Sequence, residues 1–274
     1  MPFTLSHPAA VMFLRRTRLP LSALIIGSMT PDLNYFIMEQ HEIGHTIAGL
    51  FIFCLPAGIV MYLLFHYFLK YPLLELLPDE HSAFLNTYVK RPHLNSFKKF
   101  FQFLIAILLG AATHLMWDSF THHNGWVVTH VSWMNIVVVD TEFKSLQLYR
   151  IFQHLSTIAG AAIILFFYIK AYNTQKERKP FPHLFKPGMR IIIVTLLVLG
   201  SLGLSGFLAL PSVKSVSSVP MLRNVVYWFV IETMELTAGV ISSYALLWFI
   251  VRFFKGRINK RKSATISQAA IDRR

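Results

Sequence analysis

The sequence predicts an all-α, polytopic membrane helical bundle of five or six spans with a cytoplasmic C-terminus, and three observations carry that expectation. Hydrophobic residues make up 54% of the 274 residues and charged ones only 14%, whereas a soluble domain carries about 25% charged residues. Several apolar runs approach or exceed the roughly 20 residues a helix needs to cross the hydrocarbon core. The basic residues lie mainly between those runs, as membrane topology requires. A net charge of +13 raises the question of nucleic acid, but no nucleic-acid-binding motif accompanies it, so none is expected as a partner. The lone Cys54 excludes an intrachain disulfide and a cysteine-ligated zinc site.

Taken in order, residues 1–20 open with a short helix whose first position suits Pro8, which puts His7 near its cap. Arg15, Arg16 and Arg18 follow the apolar stretch, and no small-residue cleavage site comes after it, unlike a signal peptide. Residues 21–38 are of minimal spanning length, but Pro31 should break the helix and leave Asp32 beside freed backbone groups. The polar segment 39–46 supplies His41 and His45. Residues 47–69 are a span, with His66 read as packed or interfacial. Residues 70–99 are a basic loop, and residues 100–122 the next span. The loop 123–150 brings His123, His130, Asp140 and Glu142. His154 lies one turn into a span over about 151–172. Residues 173–190 are basic. Two further spans cover 191–210 and about 225–251, the last carrying Glu232 and Glu235 on one face. One membrane domain, 1–251, and a basic tail, 252–274, account for the chain; the tail's end is expected to be disordered.

The chemistry concentrates in residues 110–126, GAATHLMWDSFTHHNGW. On a helix His114, Asp118 and His122 recur at i, i+4 and i+8, one face with turns about 5.4 Å apart. Gly110, Ala111 and Ala112 let a neighbouring helix approach one turn earlier. A histidine and a carboxylate one turn apart can share a divalent ion; the alternative is a buried His–Asp hydrogen bond. Charge within so apolar a helix is costly unless something is bound.

Loop charge sets the orientation. Alternate loops leave only Lys144, Arg150, Lys214 and Arg223 on one side, and the other basic residues fall opposite them. The positive-inside rule then puts the tail and the 70–99 loop in the cytoplasm. His114, Asp118, His122, His154, His45, Asp32 and the Glu232/Glu235 pair all then fall near the extracytoplasmic face. His7 joins them only if residues 21–38 do not cross. Trp117, Trp126, Trp133, Tyr149 and Trp228 read as interfacial anchors, and His41, His81, His93 and His183 as loop histidines.

The stretches MPFTLSHPAAV, LPLSALIIGSMTPDLNYF, GAATHLMWDSFTHHNGW and LYRIFQHLSTIAG resemble the bacterial membrane family called domain of unknown function 4184. That family looks distantly similar to inner-membrane metal-dependent hydrolases and to zinc-dependent phospholipase C. The resemblance implies His7, Asp32, His45, His114 and Asp118 as ligands, then His122 or His123, then His154. The chain departs from the phospholipase pattern after Asp118 and lacks its late HxxxE, since Ile158 follows His154 by four. One or two metals are therefore expected rather than three.

The leading function is metal-dependent hydrolysis of a phosphoester, lipid-linked and met in the outer leaflet of the inner membrane, with membrane lipids as surroundings. Asp32 and Asp118 are the candidate catalytic carboxylates, and imidazole with carboxylate suits Zn or Mn. A transporter or permease using buried His and Asp for protons or metal, and a structural membrane protein, are the alternatives.

Overall fold

The computed structural model describes residues 4–37, 42–89, 95–141, 144–214 and 216–271. His41, His93 and Glu142 lie outside them. The chain is a multi-pass, all-α membrane protein: among the described residues five helices are long and apolar enough to cross a bilayer. They are Ile47–Leu76, Phe97–His130, Leu148–Thr174, Pro187–Val213 and Met221–Arg257. Residues 21–37 are not among these five. Residues 21–37 divide into an α-helix, Leu21–Gly27, a 3-10 turn, Pro31–Leu33, and a short helix, Asn34–Ile37. Pro31 stands at the start of that turn, where its missing N–H costs nothing.

Contacts divide the chain into two compact units. The first comprises residues 1–64 and 90–176, the second residues 65–89 and 177–274. In the first, Leu21–Gly27 packs along Phe97–Thr121 over a core of Val11, Leu24, Tyr62, Phe103 and Ile107. Gly110 makes that crossing possible. A Cβ there would overlap the Leu24 carbonyl and lie 2.7 Å from the Ser28 nitrogen. The Ile47–Leu76 span changes pitch at Leu50–Cys54, a π-helical stretch in which Leu55 N–H donates to the Leu50 carbonyl. Pro56 follows at once and has no N–H to continue the α ladder.

The segment 123–150, expected as a loop, holds a helix, Trp126–His130, and an antiparallel pair of strands, Val137–Thr141 and Lys144–Gln147. In the second unit, Glu75 is fully buried. Its carboxylate accepts hydrogen bonds from Leu184 N (2.9 Å), Phe185 N (3.0 Å) and Trp248 Nε1 (3.2 Å). His183, read as an unengaged loop histidine, is tied in beside it: its ring lies 2.9 Å from Ser82 Oγ and 3.0 Å from Arg190. The last helix runs unbroken from Val219 to Ile271, so the basic tail continues it.

Candidate metal centre

Four segments of the first unit converge on one group of imidazoles and carboxylates. His7 precedes the Pro8–Val11 helix, with Pro8 at its first position. Asp32 sits in the turn after the break at Pro31. His45 ends a 3-10 turn, and Thr46 then caps the following helix by accepting from Gly49 N–H at 2.9 Å. Gly44 packs against the Pro31 carbonyl, where a Cβ would come within 2.6 Å, and so brings His45 level with Asp32. His114 and Asp118 lie one turn apart on Phe97–Thr121.

The donor nitrogens lie within 4 Å of the carboxylate oxygens. His45 Nε2 lies 3.4 Å from Asp32 Oδ1 and 3.5 Å from Asp118 Oδ2. His114 Nε2 lies 3.5 and 3.1 Å from the same two oxygens. Two groups of three, Asp32/His45/His114 and His7/His114/Asp118, each bring one donor atom per residue within 4.8 Å of one another, close enough to face a single ion. The other carboxylate oxygen of Asp118 faces a second pair, 3.7 Å from His7 Nε2 and 3.2 Å from His122 Nδ1. The His7 ring stacks on His114 with centroids 3.7 Å apart.

Burial makes these contacts expensive without a ligand. His114, Asp32, His7 and Asp118 are all buried, and His45 and His122 half-buried. Yet His7 Nε2, Asp32 Oδ2, both His45 nitrogens, His114 Nε2 and both Asp118 oxygens lack a hydrogen-bond partner among the described residues. Each such orphan costs about 1–3 kcal/mol. Together they would rival the roughly 5–15 kcal/mol that holds a whole domain folded. A divalent cation would satisfy those that face it, among them Nε2 of His7, His45 and His114 and the Asp118 oxygens. These buried His/Asp groups could hold a metal ion.

Electrostatics around the N-terminal ligands fits that role. Burial, helped by the neighbouring His114, lowers the pKa of His7 to about 4 and keeps its imidazole neutral. Burial opposes ionisation of Asp32, but His114 and His45 beside it outweigh burial and hold its carboxyl below the usual range. Burial likewise works against a charged His45, and Asp118 and Asp32 overcome it, so its pKa is raised.

Of the residues nominated from sequence, His7, Asp32, His45, His114, Asp118 and His122 come together. His122 arrives differently from expectation. The helix ends at Thr121 and His122 is extended, φ −107°, but its ring returns to Asp118. His154 is exposed on Leu148–Thr174 and belongs to neither group, and Glu232 and Glu235 belong to the second unit. Sequence reasoning missed Ser28, whose carbonyl accepts from His114 Nδ1–H at 2.7 Å. It also missed Tyr35, whose ring centroid is 5.4 Å from that of His45. A cavity of about 420 Å³ opens on the centre, bordered by Tyr35, Ile47, Ser119, Asn124 and Trp126.

A membrane helical protein with a buried His/Asp centre is thus the class these observations define. The chain belongs to the family described as domain of unknown function (DUF4184), which matches residues 1–265. No curated protein and no solved structure shows significant similarity to it.

Proposed function

We infer that the protein is a membrane-embedded, metal-dependent hydrolase of a phosphoester, acting on lipid-linked substrates at the outer face of the inner membrane. The observation that carries this reading is the convergence of buried imidazole nitrogens and carboxylate oxygens in two groups, Asp32/His45/His114 and His7/His114/Asp118, with Nε2 of all three histidines and both Asp118 oxygens lacking a hydrogen-bond partner among the described residues. Asp32, His45 and His114 would hold one ion, with Asp118 Oδ2 beside them, 3.1 Å from His114 Nε2. His7 and His122 supply a second group of donors around Asp118 Oδ1, so the donor set suits one or two ions of the Zn or Mn type. When bound, such an ion polarises a phosphoryl oxygen and lowers the pKa of a water toward neutrality.

The chain's own residues do the rest. Asp32 Oδ2 has no hydrogen-bond partner among the described residues, so that oxygen is open to accept a hydrogen bond from an attacking water and orient it. Asp118 turns one oxygen to each pair of histidines and fixes them relative to one another. The cavity above them joins apolar Ile47 and Trp126 to polar Ser119 and Asn124, a lining that suits an amphiphile with its ester at the centre.

The test is hydrolysis of bis-p-nitrophenyl phosphate and of a phospholipid by detergent-purified protein with added Zn²⁺ or Mn²⁺. Asp32→Ala and His114→Ala should each abolish turnover. No turnover in the wild type, despite bound metal, would overturn the hydrolase assignment. A transport reading draws on the helix break at Pro31 beside Asp32. It predicts instead that the same variants lose ion flux in vesicles.

A further inference from the structure

The second unit contains a larger cavity, about 860 Å³, between the Pro187–Lys214 and Val219–Ile271 helices. That size lies within the roughly 300–1,000 Å³ of small-molecule sites. Its walls are apolar, with Ile193, Leu197, Leu236, Val240 and Leu247 among them. Its polar groups are mostly satisfied: Ser243 Oγ donates to the Gly239 carbonyl (2.9 Å), Tyr244 OH to the Pro72 carbonyl (3.3 Å) and Trp248 Nε1 to Glu75 (3.2 Å). Glu232 and Glu235 are the exceptions. Both line the cavity, and neither has a hydrogen bond or ion pair among the described residues. Glu232 also borders a second cavity of about 260 Å³ lined by Ser212, Asn224 and Trp228. This half-buried carboxylate thus stands where an apolar chamber meets a more polar one.

A carboxylate within a span is costly and marks a ligand path or a proton site. The walls offer an anion nothing, and two carboxylates in an apolar wall lack the imidazoles or carbonyls that strip water from a metal ion. The complement of this lining is one positive charge on an apolar body. We propose that this cavity binds a lipophilic organic cation, with its charge against Glu232 and Glu235 and its body against the aliphatic wall. The site is independent of the metal centre, and nothing in it rests on the hydrolase reading.

Tetraphenylphosphonium is the probe, measured by equilibrium dialysis against the detergent-purified full chain. Saturable binding of one cation per chain is expected, weakened at least tenfold in the Glu232→Gln/Glu235→Gln double variant. Gly239 gives a control without charge change. It lines the cavity, and a Cβ there would meet nothing within 4 Å, so Gly239→Phe should fold normally and fill the chamber, abolishing binding. Tetraphenylborate, the same shape with opposite charge, should not bind. Competition by phosphatidylethanolamine micelles would identify an amine-headed lipid as the source of the cation, and indifference to them a soluble one; both support the site. Equal binding of phosphonium and borate, or unchanged binding in the glutamine or Gly239→Phe variants, would overturn it.

Discussion

His114 donates its Nδ1–H to the carbonyl of Ser28 at 2.7 Å. That bond fixes the tautomer, leaving the Nε2 lone pair directed at Asp32 and Asp118. Metal-ligating histidines are oriented in this way by a partner on the other ring nitrogen. Ser28 is in place because the Leu21–Gly27 helix crosses at Gly110, so the small residue one turn before His114 and the ring's orientation have one cause.

Filling that crossing should therefore damage the centre from a distance. Gly110→Val puts a branched side chain into the Leu24 and Ser28 backbone, and overpacking of this kind costs about 1–3 kcal/mol. We expect a lower thermal midpoint together with lost metal. A variant that keeps full metal content would show that the crossing does not position His114.

Asp118 is shared by both groups of donors, whereas His122 serves only one. Asp118→Asn, which keeps the shape and removes the charge, should eliminate metal altogether. His122→Ala should leave the ion held by Asp32, His45 and His114, with metal per chain unchanged or reduced by one. Elemental analysis of the two purified variants checks this, and equal losses in both would contradict it.

The raised pKa of His45 and the value of about 4 at His7 give the metal affinity a definite sign with pH. Below its raised pKa, His45 carries a proton on nitrogen that the ion needs. His7 stays neutral down to about pH 4 and competes little. Affinity should rise with pH, by up to about tenfold per unit, while His45 is protonated in the metal-free protein. Titration with a chelating dye between about pH 5.5 and 8.5 reads this directly, and a flat profile would contradict it.

In the second unit, Glu75 accepts from two backbone amides and an indole. Glu75→Ala would strand these donors at about 1–3 kcal/mol each. Limited proteolysis should then cleave residues 177–190 markedly faster than in the wild type. Unchanged cleavage would show that the carboxylate does not anchor that segment.

The apolar runs that give the five spans were legible because spanning length is set by the bilayer, and the break at Pro31 because proline cannot continue a helix. The i, i+4 spacing of His114 and Asp118 was equally plain. His7 was not. Its membership hung on whether residues 21–38 cross, which composition alone leaves open; the structure puts its Nε2 3.7 Å from Asp118. Ser28 contributes only a backbone carbonyl, invisible to any reading of side-chain types. His154 misled because its depth on a helix was readable but the direction of its side chain was not.

The most direct test is metal content of the detergent-purified protein, wild type against His114→Ala, measured by mass spectrometry after dialysis. The structure predicts one or two divalent ions per chain in the wild type and none in the variant. A wild-type protein that folds and retains no ion, or a variant that retains as much as the wild type, would contradict the metal centre itself.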